Sequence, residues 1–285
     1  MKIVRYPDEM KNLCATHRMA GSTIGLVPTM GALHEGHLSL LDRCKEHCDI
    51  RVMSIFVNPL QFGPAEDLAA YPRPFEADCG KAERGGCDIV FAPSPTDMYP
   101  ARHATYVSVE GITGRLCGAS RPNHFRGVTT VVLKFLNIVS PHVAVFGQKD
   151  AQQAIVIKRM VRDLFCPVRI LVAPTVRESG GLAMSSRNAY LTAAERAEAA
   201  LVYKGLSAAA RLYGEGERSA KRLKGAVEGI YATARLFSVE YVEIADTATL
   251  TPLEELRGPA LIAAAVRTKE TKTRLIDNIV LGGEL

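Results

Sequence analysis

The segment GALHEGHLSL, residues 31–40, carries two histidines three residues apart, framed by glycines. Gly31 and Gly36 keep the spacing of a G-x-x-x-x-G-K-[ST] phosphate loop, but His37 and Leu38 stand where that loop has lysine and a hydroxyl residue. A β-branched apolar run, STIGLVPT (22–29), leads into the segment, and a helical pattern leaves it from about Gly36 to His47. A strand that turns tightly into a helix offers the helix's free N–H groups and positive dipole end to an anion. Residues three apart share a helix face, so His34 and His37 can reach one phosphoryl group. Imidazole donors there suit attack at an α-phosphate, where charge gathers on the non-bridging oxygens as pyrophosphate leaves. A weak nucleophile such as a carboxylate needs positioning and neutralisation more than a base. The competing explanation is structural: the two histidines cap or pack the helix. A zinc protease fits worse, because H-E-x-x-H spaces its histidines four apart and H-E-G-H spaces them three apart.

A second group lies at GGLAMSSRNAYL, residues 180–191. Its glycines allow mobility, Ser185 and Ser186 supply hydroxyl and backbone donors, and Arg187 supplies a planar cation suited to a triphosphate. The alternative is again a cap, with Ser186 or Asn188 opening the next helix.

The elements that must position these groups follow from periodicity. Short apolar runs at 22–29, 49–58, 87–93, 142–147 and 168–174, with a further one at 105–110, alternate with helical patterns at 36–47, 74–86, 123–141 and 150–164. That order predicts a doubly wound parallel sheet of the α/β, Rossmann-like class, with ligands at the carboxyl ends of its strands. Beyond Pro174 the chain turns alanine-rich and helical, then shows strand patterns at 238–247, 260–268 and 273–281 with short connections, which predicts a smaller antiparallel α+β domain. The polar KETK (269–272) reads as a hairpin turn. The division is expected between residues 1–176 and 177–285.

Composition narrows the class. At 47% hydrophobic and 23% charged, the chain has the make-up of a globular protein with a sizeable core. A net charge of +5, dispersed and without tryptophan or an aromatic basic patch, argues against nucleic acid as a partner. No stretch of 18 apolar residues predicts a membrane span, and MKIVRYPDEMK lacks the form of a signal peptide. Seven scattered cysteines without a C-x-x-C pair predict reduced thiols and a cytoplasmic setting. Cys44 and Cys48, four apart, read as buried packing rather than metal ligands.

With both groups in view, the chain resembles the pantothenate synthetase (pantoate–β-alanine ligase) family, of the nucleotidyltransferase-like α/β proteins. PTMGALHEGHLSL matches the family's version of the H-I-G-H motif, and SIFVNPLQFGP, YPR, PNHFRGVTTVVLKFLNIVSP, VFGQKDAQQ, GLAMSSRN and TRLIDN follow in the same order. The resemblance covers essentially the whole chain. It implies a ligase that joins pantoate to β-alanine with ATP through a pantoyl adenylate, releasing AMP and pyrophosphate. It also implies Mg²⁺, a homodimer and a cytoplasmic enzyme.

By the same resemblance Met30, Gly31, Ala32, Leu33, His34, Glu35, Gly36 and His37 line the nucleotide, with His34 and His37 at the phosphates and His37 catalytic. Gly147, Gln148, Lys149, Asp150 and Val176 also line ATP, and Met184, Ser185, Ser186 and Arg187 close over it, Lys149 and Arg187 acting on the phosphates. Gln61 holds pantoate where β-alanine enters, Gln153 holds pantoate from the other side, and Asp150 suits ribose or the metal. Asn58 is a further candidate for that pocket, or a turn residue before Pro59. The family often has glutamate at the position of Gln148. A pure nucleotidyltransferase would share the histidine motif but would need no amine site. A nucleotide-sensing or RNA-binding protein on the same fold is the rival of a different class.

Overall fold

The computed structural model describes residues 1–64 and 66–285. In chain order the regular elements are β1 (Lys2–Val4), α1 (Pro7–Met19), β2 (Ile24–Thr29), α2 (Glu35–Lys45), β3 (Ile50–Ile55), α3 (Phe75–Arg84), β4 (Ile89–Phe91), α4 (Pro95–Met98), α5 (Cys117–Ser120), α6 (His124–Val139), β5 (Val143–Gly147), α7 (Ala151–Asp163), β6 (Arg169–Ala173), α8 (Ala193–Gly214), α9 (Ala220–Tyr231), β7 (Phe237–Asp246), β8 (Ala260–Thr268) and β9 (Arg274–Leu281). They fall into two compact units. The first comprises Met1–Thr113, Ser120–Gly147 and Val156–Ala173; the second comprises Gly114–Ala119, Gln148–Ile155 and Pro174–Leu285. The last passage of the chain into the second unit is therefore at Pro174, and two earlier excursions join it.

The first unit is a six-stranded, all-parallel sheet in the order β1-β4-β3-β2-β5-β6. Its inner strands β2, β4 and β5 are buried on both faces, so they read as continuous apolar runs. Val27, Met53, Val90 and Val145 turn to the face covered by Leu40, Leu41 and Cys44 of α2 and by Cys79 and Ala82 of α3. On the other face Phe91 meets Phe135 of α6 edge-on. Strands β2 and β5 are neighbours, with β3, β4 and β1 laid down on one side and β6 on the other. The gap between them is the switch point at which open α/β sheets bind ligands. The loop after β2 is the one that carries the two histidines.

Four elements escaped the periodicity: β1, α1 and the single-turn helices α4 and α5. Strand β1 is only three residues long, and α1 buries just Met10 and Cys14, too narrow a stripe to stand out in sequence. The run at 105–110 is not a strand. Its backbone is held by helix α6: the Val107 N–H donates to Thr130 Oγ1 at 3.0 Å, and Thr129 Oγ1 donates to the Val107 carbonyl at 2.6 Å. Those hydroxyls satisfy groups a neighbouring strand would otherwise take.

In the second unit an antiparallel sheet, β7-β8-β9, packs on α8 and α9. Thr192 and Glu195 form a capping box that opens α8. Glu195 reaches further, to the loop between β8 and β9. It accepts the N–H groups of Glu270 and Thr271 and the Thr271 hydroxyl. Burial raises the pKa of its carboxyl, but these donors and the Thr192 N–H outweigh burial and hold it at about 2.

Candidate active site

Strand β2 ends at Thr29, whose hydroxyl donates to the Ser54 carbonyl and accepts the Gly31 N–H at 3.2 Å. The chain then turns into α2 through His34, the N-cap, in an extended conformation. His34 Nδ1 accepts the Gly36 N–H at 3.1 Å, and His37 Nδ1 accepts the His34 N–H at 3.3 Å. The rings lie 4.1 Å apart, tilted by 37°. The structural explanation for the pair is thus correct as far as it goes: they form a capping box built from imidazoles. It does not compete with chemistry at the same rings. A ring nitrogen that accepts carries no proton, so each neutral ring keeps its proton on Nε2, the nitrogen farther from the helix backbone. The cap selects the tautomer that presents a donor.

Strand β3 leads into a 3₁₀ turn, Pro59–Gln61, capped by the Asn58 side chain. Asn58 is 1% exposed and fully engaged. Its Oδ1 accepts the Tyr99 hydroxyl at 2.7 Å and the Leu60 N–H at 3.3 Å; its Nδ2 donates to the Gly127 carbonyl at 3.1 Å and to Gln61 Oε1 at 3.0 Å. Since Gln61 Oε1 accepts from Asn58, its amide nitrogen faces the other way, where it donates to Met30 Sδ at 3.1 Å. Met30 and Gln61, 31 residues apart in sequence, are thereby brought together. Helix α6 holds the same turn from beneath. His124 Nδ1 lies 2.8 Å from the Gln61 carbonyl, and Arg121 donates to that carbonyl at 3.3 Å. A carbonyl only accepts, so the His124 proton is on Nδ1, the reverse of His34 and His37. Arg121 also pairs with both oxygens of Glu66. Burial raises the Glu66 pKa, and the guanidinium more than reverses it, leaving the carboxyl below its usual range. At Gly127 the helix comes so close that a Cβ would sit 2.3 Å from the Leu60 carbonyl oxygen.

Apart from Gly147, which ends β5 in the first unit, the remaining candidates belong to the second unit. Gln148, Lys149 and Asp150 form a 3₁₀ turn whose Gln148 and Lys149 carbonyls accept from Asn278 Nδ2 at 2.8 and 3.0 Å. Lys149 Nζ lies 3.8 Å from Asp150 Oδ1. Gln153 is half-buried in the first turn of α7. The Val176 carbonyl accepts the Met184 N–H at 3.0 Å, and Arg177 and Ala183 pair as a bridge, so the segment 176–184 is a small hairpin. Ser185 caps the 3₁₀ turn that follows, its hydroxyl accepting the Arg187 N–H at 3.3 Å; the alanine-rich helix α8 is capped by Thr192, not by Ser186 or Asn188. Arg177 anchors the hairpin by pairing with both oxygens of Asp277 and stacking on Tyr203 at 3.6 Å.

Met30–His37, Gln61 and Gly147 thus share one unit, and Gln148–Asp150, Gln153, Val176 and Met184–Arg187 share the other. Residues to which the sequence assigned no role organise both sets: Tyr99 in the first, and Arg177, Asp277 and Asn278 in the second, the last two lying in the motif TRLIDN. The signal was present for the last two, since aspartate and asparagine are out of place in the apolar strand RLIDNIVL. Among the described residues no three His, Cys, Asp or Glu side chains converge as a metal cage. Cys44 is buried, with its sulfur 3.5 Å from that of Cys48. No helix of the described residues is long and apolar enough to cross a membrane.

Comparison with known proteins places this arrangement. The family model for pantoate-beta-alanine ligase matches residues 2–280. The pantothenate synthetase of Moorella thermoacetica is 53% identical over 281 residues, covering 99% of each chain. The crystal structure of a pantothenate synthetase from Thermus thermophilus superposes with a TM-score of 0.92 at 41% identity, over 98% of this chain and 99% of that one. A pantoate-beta-alanine ligase from Francisella tularensis, complexed with beta-gamma ATP and beta-alanine, aligns with a TM-score of 0.79 at 32% identity, over 98% of this chain and 97% of that one.

Proposed function

This chain belongs to the pantoate–β-alanine ligase family, and on that premise we propose that it condenses pantoate with β-alanine at the expense of ATP. In the first step a pantoate carboxylate oxygen attacks the α-phosphorus; the bond to the β-phosphate breaks and pyrophosphate leaves. In the second, the neutral amine of β-alanine attacks the acyl carbon of pantoyl adenylate; the C–O bond to AMP breaks and the amine loses a proton.

The observation that carries this reading is the imidazole cap. With both Nδ1 atoms occupied as acceptors, His34 and His37 present Nε2–H donors beside the helix mouth at the sheet's switch point. Donors held there need no reorganisation as charge builds on the α-phosphate, which is how preorganised groups lower a barrier. Lys149 and Arg187 add cations for the β- and γ-phosphates, Arg187 through a planar fork and Lys149 as a point charge. The nucleotide lies along Met30–His37, Gly147–Asp150, Val176 and Met184–Arg187. Gln61 offers its amide N–H to pantoate, its carbonyl being already turned to Asn58, and lies at the entry of β-alanine; Gln153 holds pantoate from its other side. Mg²⁺ bound to a nucleotide takes few protein ligands because phosphates and waters supply the rest. The single exposed carboxylate of Asp150 fits that demand. When bound, the ion neutralises phosphate charge. Family resemblance supports a homodimer and a cytoplasmic location, to which seven free thiols conform.

Isotope exchange tests the reading. Exchange of labelled pyrophosphate into ATP that requires pantoate, together with AMP release that requires β-alanine, is the expected result. Exchange driven by a phosphate-ester acceptor without AMP release would overturn it.

A further inference from the structure

Gly31 and Ala32 both adopt left-handed backbone conformations, with φ of 83° and 49°. Such a tight turn can aim successive backbone N–H groups at one point and make a concavity that binds anions, and here the N–H groups of Ala32 and Leu33 converge in that way. In a lysine-type phosphate loop such amides hold the ligand's phosphate. Here the concavity is filled from within. The Asp78 carboxylate, 0% exposed, accepts the Ala32 N–H through Oδ2 and the Leu33 N–H through Oδ1, each at 2.7 Å. One turn further along α3, Lys81 Nζ donates to the Leu33 carbonyl at 2.7 Å. Both backbone polar groups of Leu33 are therefore tied to α3, and its side chain is sunk in the core at 1% exposure. Nothing larger than glycine fits at 31, where a Cβ would lie 2.9 Å from Asp78 Oδ2 and 3.1 Å from Ile55 Cγ2.

The next residue is His34, the cap. A buried carboxylate is costly unless fully hydrogen-bonded, so this one holds its two amides firmly, and a carboxylate already in the concavity repels any phosphate from it. We propose that Asp78 and Lys81 are positioning residues for the histidine loop: an internal anion takes the seat a phosphate occupies in lysine-type loops, which leaves the ligand's phosphates to His34, His37 and the mouth of α2. This explains why the glycine spacing persists while the lysine does not. The inference rests on the ligase reading for its kinetic consequence only; the clamp itself is a statement about the loop.

The test uses the full-length enzyme and four forms: wild type, Asp78→Asn, Lys81→Met and Lys81→Arg. Pantoate-dependent ATP–pyrophosphate exchange is measured per folded molecule, alongside ¹⁵N shifts of the His34 and His37 imidazoles. Asparagine keeps the volume but replaces one acceptor with a donor, so turnover should fall about 100-fold for a loop displaced by an ångström. The KM for pantoate should stay within about threefold, since Gln61 lies outside the clamp. The imidazole shifts should lose their uniform Nε2–H pattern, a change that mere loss of stability would not cause. Lys81→Met should lower turnover in the same direction, and Lys81→Arg should restore it by keeping a donor to the Leu33 carbonyl. A folded Asp78→Asn enzyme with wild-type turnover, or with unchanged imidazole shifts, would overturn the proposal. If that variant does not fold, a folded Lys81→Met enzyme with wild-type turnover and shifts overturns it instead. Absence of pantoate-dependent exchange in the wild type would sink the ligase reading, while the shifts would still decide the clamp.

Discussion

His37 Nδ1 accepts the backbone N–H of His34 at 3.3 Å, across the first turn of α2, and the two ring centroids lie within 4.1 Å. Each histidine is at once a cap and a candidate catalytic donor, because the two ring nitrogens divide the work. Substitution should therefore carry a small structural cost and a large kinetic one. His37→Ala is expected to cost about 1 kcal/mol of stability as a lost capping partner. It should lower pantoate-dependent exchange turnover about 100- to 1,000-fold, as removal of an oxyanion donor does. Binding of ATP, followed by calorimetry, should change far less. Collapse of ATP affinity with normal turnover of the bound nucleotide would contradict the role.

Tyr99→Phe removes the hydroxyl that holds Asn58 Oδ1 at 2.7 Å. Asn58 in turn orients Gln61, so the effect should surface two residues away. A stability loss of about 1 kcal/mol is expected for one buried hydrogen bond removed, since Asn58 Oδ1 keeps the longer bond from the Leu60 N–H. The KM for pantoate should rise severalfold while the KM for ATP holds. Equal rises in both would show that Gln61 is not the route.

Gly127→Ala drives a methyl group to within 2.3 Å of the Leu60 carbonyl oxygen and 2.7 Å of the Gln61 nitrogen. Backbone cannot rotate away as a side chain can. The substitution should cost about 1 to 3 kcal/mol in urea unfolding and weaken pantoate use by displacing Gln61. Alanine at Gly225, inside α9 where a Cβ meets nothing within 4 Å, is the control: it should leave pantoate use unchanged and raise stability by about 1 kcal/mol through helix propensity.

Asp277, 4% exposed, binds Arg177 through both carboxylate oxygens. Asp277→Ala strands a guanidinium inside the second unit and should cost about 3 to 5 kcal/mol, the penalty for breaking a buried pair by removing one partner. Asn278→Ala acts differently. It frees the Gln148 and Lys149 carbonyls, so the expected signature is a raised KM for ATP in a protein whose urea midpoint moves little.

The Glu195 carboxyl titrates at about 2 in the folded protein, below its ordinary value of 4.5. A depressed folded pKa means that its contribution to stability is complete above pH 4.5 and is lost as pH falls towards 2. Urea midpoints for wild type should therefore decline through that window. Glu195→Gln should be less stable at pH 7 and show a shallower decline; parallel curves for the two proteins would refute the assignment.

The amino-acid sequence by itself determined the parallel sheet, the antiparallel second unit and the family. Fully buried strands read as unbroken apolar runs, and local punctuation such as Gly31, Pro141 and the alanine-rich stretch after residue 192 acts over a few residues. It also marked His34 and His37, because residue types with chemistry stand out against an apolar background, whereas Gln61 was marked only through the family resemblance. What it left open was decided by contacts between distant segments. Whether TYVSVE was a strand depended on hydroxyls from α6, 22 and 23 residues away. Which histidine nitrogen holds the proton depended on helix capping geometry. That the phosphate-like loop is closed by Asp78, 45 residues downstream, and that Asn278 holds the turn 130 residues before it, could not be read from spacing at all. Hydrogen bonds reach only about 3 Å, so the groups they join are chosen by the folded path of the chain and leave no trace in the local pattern.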